Sequence, residues 1–363
     1  MISNKKNTLA FSIALVMLIV FMMGGCKGSG TKDSSNDKPA SPIAQASFGT
    51  QTAFYLSEDK TLWAVGLNGD GQLGIGSSET KSAPVKVTDG VKSVSAGGKH
   101  ALILKEDGSV WAFGLNNVGQ LGDGTTDSQN APVKVLEDAA FISAGYSYSA
   151  VVKNDGTLWV WGYNISRQFG LEEKTILQPT KIADNCKLAA AGEHLLLALK
   201  NDGTLCSFTN GEKALANDVA SVYAGREHFA YVTTSNELYA FGHNAFGQLG
   251  DGTKETKDAP VLIDSGIAAV SAGNSHMVFL KSDGTAWAVG KNDMGQLGDG
   301  TTEDKDKAIQ IADGVKSIFA GYSNTFLIKT DGSAWGSGTN ADNQFPGQSG
   351  TEVLSLVKIE NIK

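Results

Sequence analysis

The sequence predicts an all-β fold, a seven-bladed β-propeller with four-stranded blades. Three observations predict it. A glycine-rich motif, Gly-x-Asn-x-x-Gly-Gln-Leu-Gly, stands at 66–74 and returns at 114–122, loosened at 162–170, then at 242–250, 290–298 and, degraded, at 338–346. Neighbouring copies lie 48 residues apart, with one longer gap between the third and the fourth. A fixed period of this kind marks stacked repeats that form one object. A large aromatic position recurs as Trp63, Trp111, Trp159, Tyr239, Trp287 and Trp335, with Cys206 in the fourth place. A strand-closing glycine recurs seven times, as Gly49, Gly97, Gly145, Gly192, Gly225, Gly273 and Gly321.

The second unit shows the pattern best. Residues 91–96 alternate polar and apolar side chains. Residues 100–105 are a nearly continuous apolar run, as a strand buried on both faces requires. Asp107-Gly108 makes a hairpin, and 110–113 is the next strand, carrying Trp111. The motif follows, then a turn at 123–126, then a short strand at 131–135 that is read as leading into the next unit. Pro132 fits the start of such a strand, where its missing N–H does least harm. Between Gly192 and Gly225 the spacing falls to 33 residues, because the motif and its loop are replaced by 209–213. The fourth blade is therefore expected to have a clipped edge.

The two ends of the repeat region, 43–363, are read together. Residues 356–359 resemble 84–87, a first strand with no blade after it, and 43–49 begins at a second strand with none before it. Joined, they complete one blade. The ring is thus expected to close by pairing the N- and C-terminal strands in a single blade, which removes an exposed sheet edge.

The chain starts differently. Lys5 and Lys6 precede an apolar run from Leu9 to Met23, followed by Gly24, Gly25 and Cys26. The run is short for a membrane span, which needs ~20 residues, and suits a signal-peptide core. Small residues before a cysteine resemble a bacterial lipobox. Residues 1–25 are read as a lipoprotein signal peptide, Cys26 as the lipid attachment site and 26–42 as a flexible tether. The expected location is the outer side of a bacterial membrane.

Setting aside Lys5 and Lys6, the chain is two charges more acidic than its overall −8. An acidic surface speaks against nucleic-acid binding and against docking on anionic lipid by charge alone. Cys186 and Cys206 fall two strands apart in one sheet, roughly 10 Å, too far for a disulfide. They are expected as free, mostly buried thiols.

The pairing of Ala-Gly-x-x-His with Trp-x-x-Gly-x-Asn-x-x-Gly-Gln-Leu-Gly resembles the regulator of chromosome condensation repeat family, most closely over 95–122. The resemblance covers 43–363 and implies a seven-bladed propeller. The founding eukaryotic member acts on a small nuclear GTPase and binds chromatin. The acidic balance and export-type N-terminus speak against both roles here. A secreted bacterial propeller that inhibits β-lactamases is similar in fold and export, with aromatic side chains in the loops after Ala-Gly; here two of those loops are aromatic.

His100, His228 and His276 share one repeat position, with His194 one place earlier. Equivalent positions in different blades lie too far apart to share an ion, so these histidines are read as structural. The Asp-Gly-Thr stretches at 123, 251 and 299 read as turns, because they lack the alternating oxygen ligands of an EF-hand. No catalytic, metal or cofactor motif is expected. Two loop sets vary while their frames repeat, and loops on a rigid scaffold are where binding residues sit. Tyr146, Tyr148, Arg226, Phe246 and Tyr322 are the candidate partner contacts, since aromatics and arginine anchor interfaces. The expected function is non-enzymatic recognition of a protein or cell-wall partner by a monomer. The alternatives are inhibition of β-lactamases or penicillin-binding enzymes, a polysaccharide-active enzyme, and nucleotide exchange.

Overall fold

The structure, a computed structural model, describes residues 41–209 and 211–360. The expected signal peptide, Cys26 and the tether up to residue 40 lie outside the described residues. The rest is strand and loop: twenty-eight strands in seven antiparallel sheets of four. Among the described residues no helix is long and apolar enough to cross a membrane.

Blade 1 consists of β1 (Ile43–Phe48), β2 (Thr52–Ser57), β3 (Leu62–Gly66) and β4 (Lys81–Thr88), paired in that order. Blade 2 repeats it with β5 (Val91–Ala96), β6 (His100–Lys105), β7 (Val110–Gly114) and β8 (Gln129–Leu136). The first strand of each blade lines the central channel. The second is the apolar run expected: every residue of β2 is buried, and all but the last of β6. The fourth is the outer edge, half-exposed and joined to the third across a β-bulge. In blade 4 the last two strands shrink to Leu205–Ser207 and Lys213–Ala216, the clipped edge that the short spacing implies.

One expectation fails. The N- and C-terminal strands do not share a blade. β1 pairs with β2, and Glu352–Lys358 pairs with Ala334–Thr339, with Gly336 opposite Val357. The strand after each motif belongs to the blade before it, as Ala112 opposite Val133 shows. The motif loop is long enough to bring the chain back antiparallel to the strand it has just left. A repeat is periodic, so its sequence fixes the period and leaves the starting point open. The ring closes through side chains instead. Phe48 and Tyr55 of blade 1 pack with Phe326 and Phe345 of blade 7 in one buried cluster.

The motif is a clasp between neighbouring blades. Asn116 Oδ1 accepts the Leu121 N–H at 2.9 Å, and its Nδ2 donates to the Thr125 and Asp127 carbonyls at 3.1 Å, which fixes the loop. Leu121 is thereby driven into blade 3, where it packs in one cluster with Tyr148 and Trp161. Beside it, the Gln120 carbonyl accepts Ser149 Oγ and Trp161 Nε1, both at 2.9 Å. Gly122 has φ +77° and a Cβ there would lie 2.7 Å from the Trp161 ring, so only glycine fits. The Gly124 N–H then bonds the Leu177 carbonyl on the outer strand of blade 3. On the channel side, Ser47, Ser95, Ser143 and Ser271 each accept a main-chain N–H from the next blade's first strand.

Candidate functional site at the mouth of the channel

Because the strands alternate in direction, the loops after the first and third strands emerge on the same face. Both variable loop sets therefore meet there. Lys99 Nζ of blade 2 pairs with Asp70 Oδ2 in the motif of blade 1 at 3.0 Å, and Ser166 of the blade 3 motif bonds His194 of blade 4 at 3.1 Å. The opposite face carries the hairpins. There Lys105, Lys153, Lys281 and Lys329 lie over Trp111, Trp159, Trp287 and Trp335, whose Nε1 groups donate to a hairpin hydroxyl.

The strand-closing glycines form the rim of the channel on the loop face. A Cβ on Gly225 would stand 2.4 Å from the Gly273 carbonyl and 2.2 Å from the His228 ring. Blades meet this closely only without a side chain at that point. The residues after these glycines are Thr50, Gly98, Tyr146, Glu193, Arg226, Asn274 and Tyr322, and all of them but Glu193 line the channel. The channel has a volume of about 380 Å³. Its lining is rich in Ser, Ala and Gly, with Gln45, Arg226 and Asn274 among the polar groups and no Asp or Glu among the described residues. The paired carboxylates that a polysaccharide hydrolase needs do not stand within the channel lining itself.

Tyr146, Arg226 and Tyr322, three of the five candidates, converge on this mouth. Arg226 lies over the Tyr146 ring, 5.5 Å from its centroid, and pairs with Glu193 through Nε and through Nη2 at 3.2 Å. Glu193 raises the Arg226 pKa further, so the cation is permanent. Tyr146 is 38 % exposed. Phe246 sits farther out, in the blade 5 motif, beside His243 and under the Lys291 ammonium at 5.2 Å.

Tyr148 does not belong with them. It opens the second strand of blade 3, is fully buried, and donates its hydroxyl to the Leu195 carbonyl at 2.8 Å. It occupies the place that His100 has in blade 2, three residues after the glycine. That place points inward in every copy that carries a ring there.

His100, His228 and His276 are buried, as their structural reading requires. His100 Nε2 meets Ser149 Oγ at 3.0 Å and His276 Nε2 meets Thr325 Oγ1 at 3.2 Å, each hydroxyl donating onward to a motif Gln carbonyl. Burial lowers their pKa values to about 4, 3 and 4 respectively, so all three are neutral at physiological pH. Asp123, Asp251 and Asp299 close turns, each accepting the N–H two residues on. Cys186 and Cys206 are free and buried on the first and third strands of blade 4. His194 departs from the other histidines. It is exposed, and its ring lies with Glu193 and Glu227, the three ligand atoms within 4.8 Å of one another. The sequence carried one sign of this, the displacement of His194 by one place.

Two models of the regulator of chromosome condensation (RCC1) repeat match the sequence. One matches 91–120, 140–168, 219–248 and 267–296, and the other 59–104, 107–152 and 235–280. Together they span more than half of the chain. The protein belongs to the RCC1-repeat family.

Solved structures with this fold are distant in sequence. Human WBSCR16 is 22% identical with a TM-score of 0.69, covering 78% of this chain and 85% of its own. Prp20p from Saccharomyces cerevisiae is 19% identical with a TM-score of 0.71, covering 89% and 87%; its structure was described with its binding to Gsp1p and histones. The ectodomain of the Arabidopsis thaliana receptor kinase ACR4 is 16% identical with a TM-score of 0.51, covering 86% and 98%. At these identities the likeness shows the fold alone, and folds host unrelated functions. No curated protein matches the sequence. Within this RCC1-repeat chain, blade 4 differs from the other six in lacking the motif loop.

Proposed function

We propose that this RCC1-repeat propeller is an exported, lipid-anchored binding scaffold that holds a protein partner on its loop face. The observation that carries the reading is the convergence of Tyr146, Arg226 and Tyr322, from blades 3, 5 and 7, on one channel mouth. Tyrosine and arginine are the side chains that dominate interface energetics, and a rigid ring presents them with little ordering cost. The Glu193 pair holds the Arg226 guanidinium against the Tyr146 ring before any partner arrives. The anchor is supported by the basic start, the apolar run and the Gly24-Gly25-Cys26 junction.

The test compares the full-length chain with a Tyr146→Ala/Arg226→Ala/Tyr322→Ala variant in pull-downs from the producing cell's envelope. A protein enriched by the parent and lost with the variant supports the reading. Equal enrichment overturns it, and enrichment of wall glycan alone reassigns the partner class. For the anchor, Cys26→Ser is expected to abolish labelling by a palmitate analogue and to release the chain from membranes. Unchanged labelling refutes lipidation at Cys26.

A further inference from the structure

We propose that Glu193, His194 and Glu227 bind a divalent transition-metal cation of the zinc class, which straps blade 4 to blade 5 where the motif clasp is missing. At the other seams a motif loop reaches from one blade into the next. The blade 3 loop seats Phe169 in the cluster that holds Phe208 of blade 4, and the degraded blade 7 loop seats Phe345 against blade 1. Blade 4 has no such loop, so the seam to blade 5 lacks both the buried plug and the carbonyl acceptor. Glu193 and His194 stand on the blade 4 side of that seam and Glu227 on the blade 5 side.

The donors suit a borderline cation. One imidazole nitrogen with two carboxylates favours zinc and its neighbours over calcium or magnesium, which take oxygen ligands. The three ligand atoms lie within 4.8 Å of one another. Ligands at ~2.1 Å from one ion, in tetrahedral array, stand about 3.4 Å apart. Closing the difference takes about an ångström of side-chain rotation at that bond length, and His194 and Glu227 are exposed and free to make it.

The supporting contacts are already in place. Ser166 Oγ lies 3.1 Å from His194 Nδ1, within hydrogen-bond reach; with Ser166 accepting from Nδ1–H, the Nε2 lone pair is left for the cation. Nε2 faces Glu193 Oε2 at 3.8 Å. Arg226 holds the Glu193 carboxylate, whose two oxygens keep lone pairs to spare. Ligating carboxylates are themselves commonly held by an outer hydrogen bond of this kind.

Calorimetric titration of the untagged full-length chain with zinc chloride tests this without any partner. One saturable site per chain is expected, at least tenfold weaker in His194→Ala and in Glu227→Gln. Saturating zinc is expected to raise the Tm of the parent and to leave that of the two variants unchanged, because a cation bound only by the folded state stabilises it. Both replaced side chains are exposed, so the metal-free variants keep the parent Tm. Ser166→Ala is expected to weaken zinc several-fold with the same metal-free Tm. Absence of a saturable zinc heat overturns the site, as does an unchanged heat in His194→Ala. Calcium binding as tight as zinc overturns the assignment of class.

Discussion

Tyr55 in blade 1 donates its hydroxyl to the main-chain carbonyl of Gln344 in blade 7. The two residues are 289 positions apart, and their bond joins the ends of the ring. It repeats at the closing seam what Trp161 and Gln120 do between blades 2 and 3. The degraded last motif, with Phe345 in the leucine place, is therefore a working clasp with a larger plug.

Removing that plug is expected to weaken closure more than removing the bond. Phe345→Ala empties a fully buried ring site and should cost about 3–5 kcal/mol. Tyr55→Phe leaves the Gln344 carbonyl without its donor and should cost about 1–3 kcal/mol. Thermal unfolding followed by near-ultraviolet circular dichroism ranks the two. The reverse order would show that the hydrogen bond, and not the aromatic cluster, closes the ring.

The ordinary motif makes a parallel case. Leu121→Ala should destabilise by about 2–5 kcal/mol, because the plug is wholly buried between blades. Val118→Ala, at a half-buried side chain that makes none of the clasp bonds, should cost less, about 1 kcal/mol or under. Equal losses in urea unfolding would count against a clasp at this loop.

The buried histidines predict an acid-sensitive ring. Their folded pKa values, about 4, 3 and 4, lie below the ordinary 6.5. Between those values the unfolded chain binds more protons, so stability is full above about pH 6.5 and falls as pH drops toward 4. At ~1.4 kcal/mol per pKa unit, His100 and His276 account for about 3 kcal/mol each and His228 for about 5 kcal/mol. Asn324 stands at the same repeat position in blade 7 without this penalty. His276→Asn should therefore flatten the Tm-versus-pH curve between pH 6.5 and 4 by roughly one third of the histidine contribution. An unchanged slope would place the acid sensitivity elsewhere.

At the channel mouth, Arg226→Ala removes the cation from the Tyr146 ring and takes the guanidinium partner from Glu193. Binding of the protein partner should weaken by about 2 kcal/mol or more, roughly thirty-fold. Phe246→Ala, farther out, should weaken it less than Tyr146→Ala. Surface plasmon resonance on the captured partner decides the order, and a larger loss at Phe246 would move the footprint to the blade 5 motif.

The period, the blade count and the clipped fourth blade were legible in the sequence because each follows from spacing alone. The frame of the blade was not. Whether 131–135 pairs backward or forward depends on hydrogen bonds that spacing does not encode, and the same ambiguity misplaced the closure. Tyr148 was misread for a local reason. It was grouped by loop with Tyr146, although its offset from Gly145 equals that of His100 from Gly97, an inward place. Glu193, His194 and Glu227 were out of reach because they meet across two blades, which spacing along the chain does not reveal.

Near-identical blades present a difficulty to anything that docks along the channel axis. Seven similar sectors offer seven nearly degenerate rotational settings, and a partner held by repeated contacts alone would sample all of them. The notch at blade 4 removes that degeneracy. It gives the ring one angular origin, from which Tyr146, Arg226 and Tyr322 each stand at a fixed bearing, so a molecule seated on the face by these three side chains would be turned in one way only.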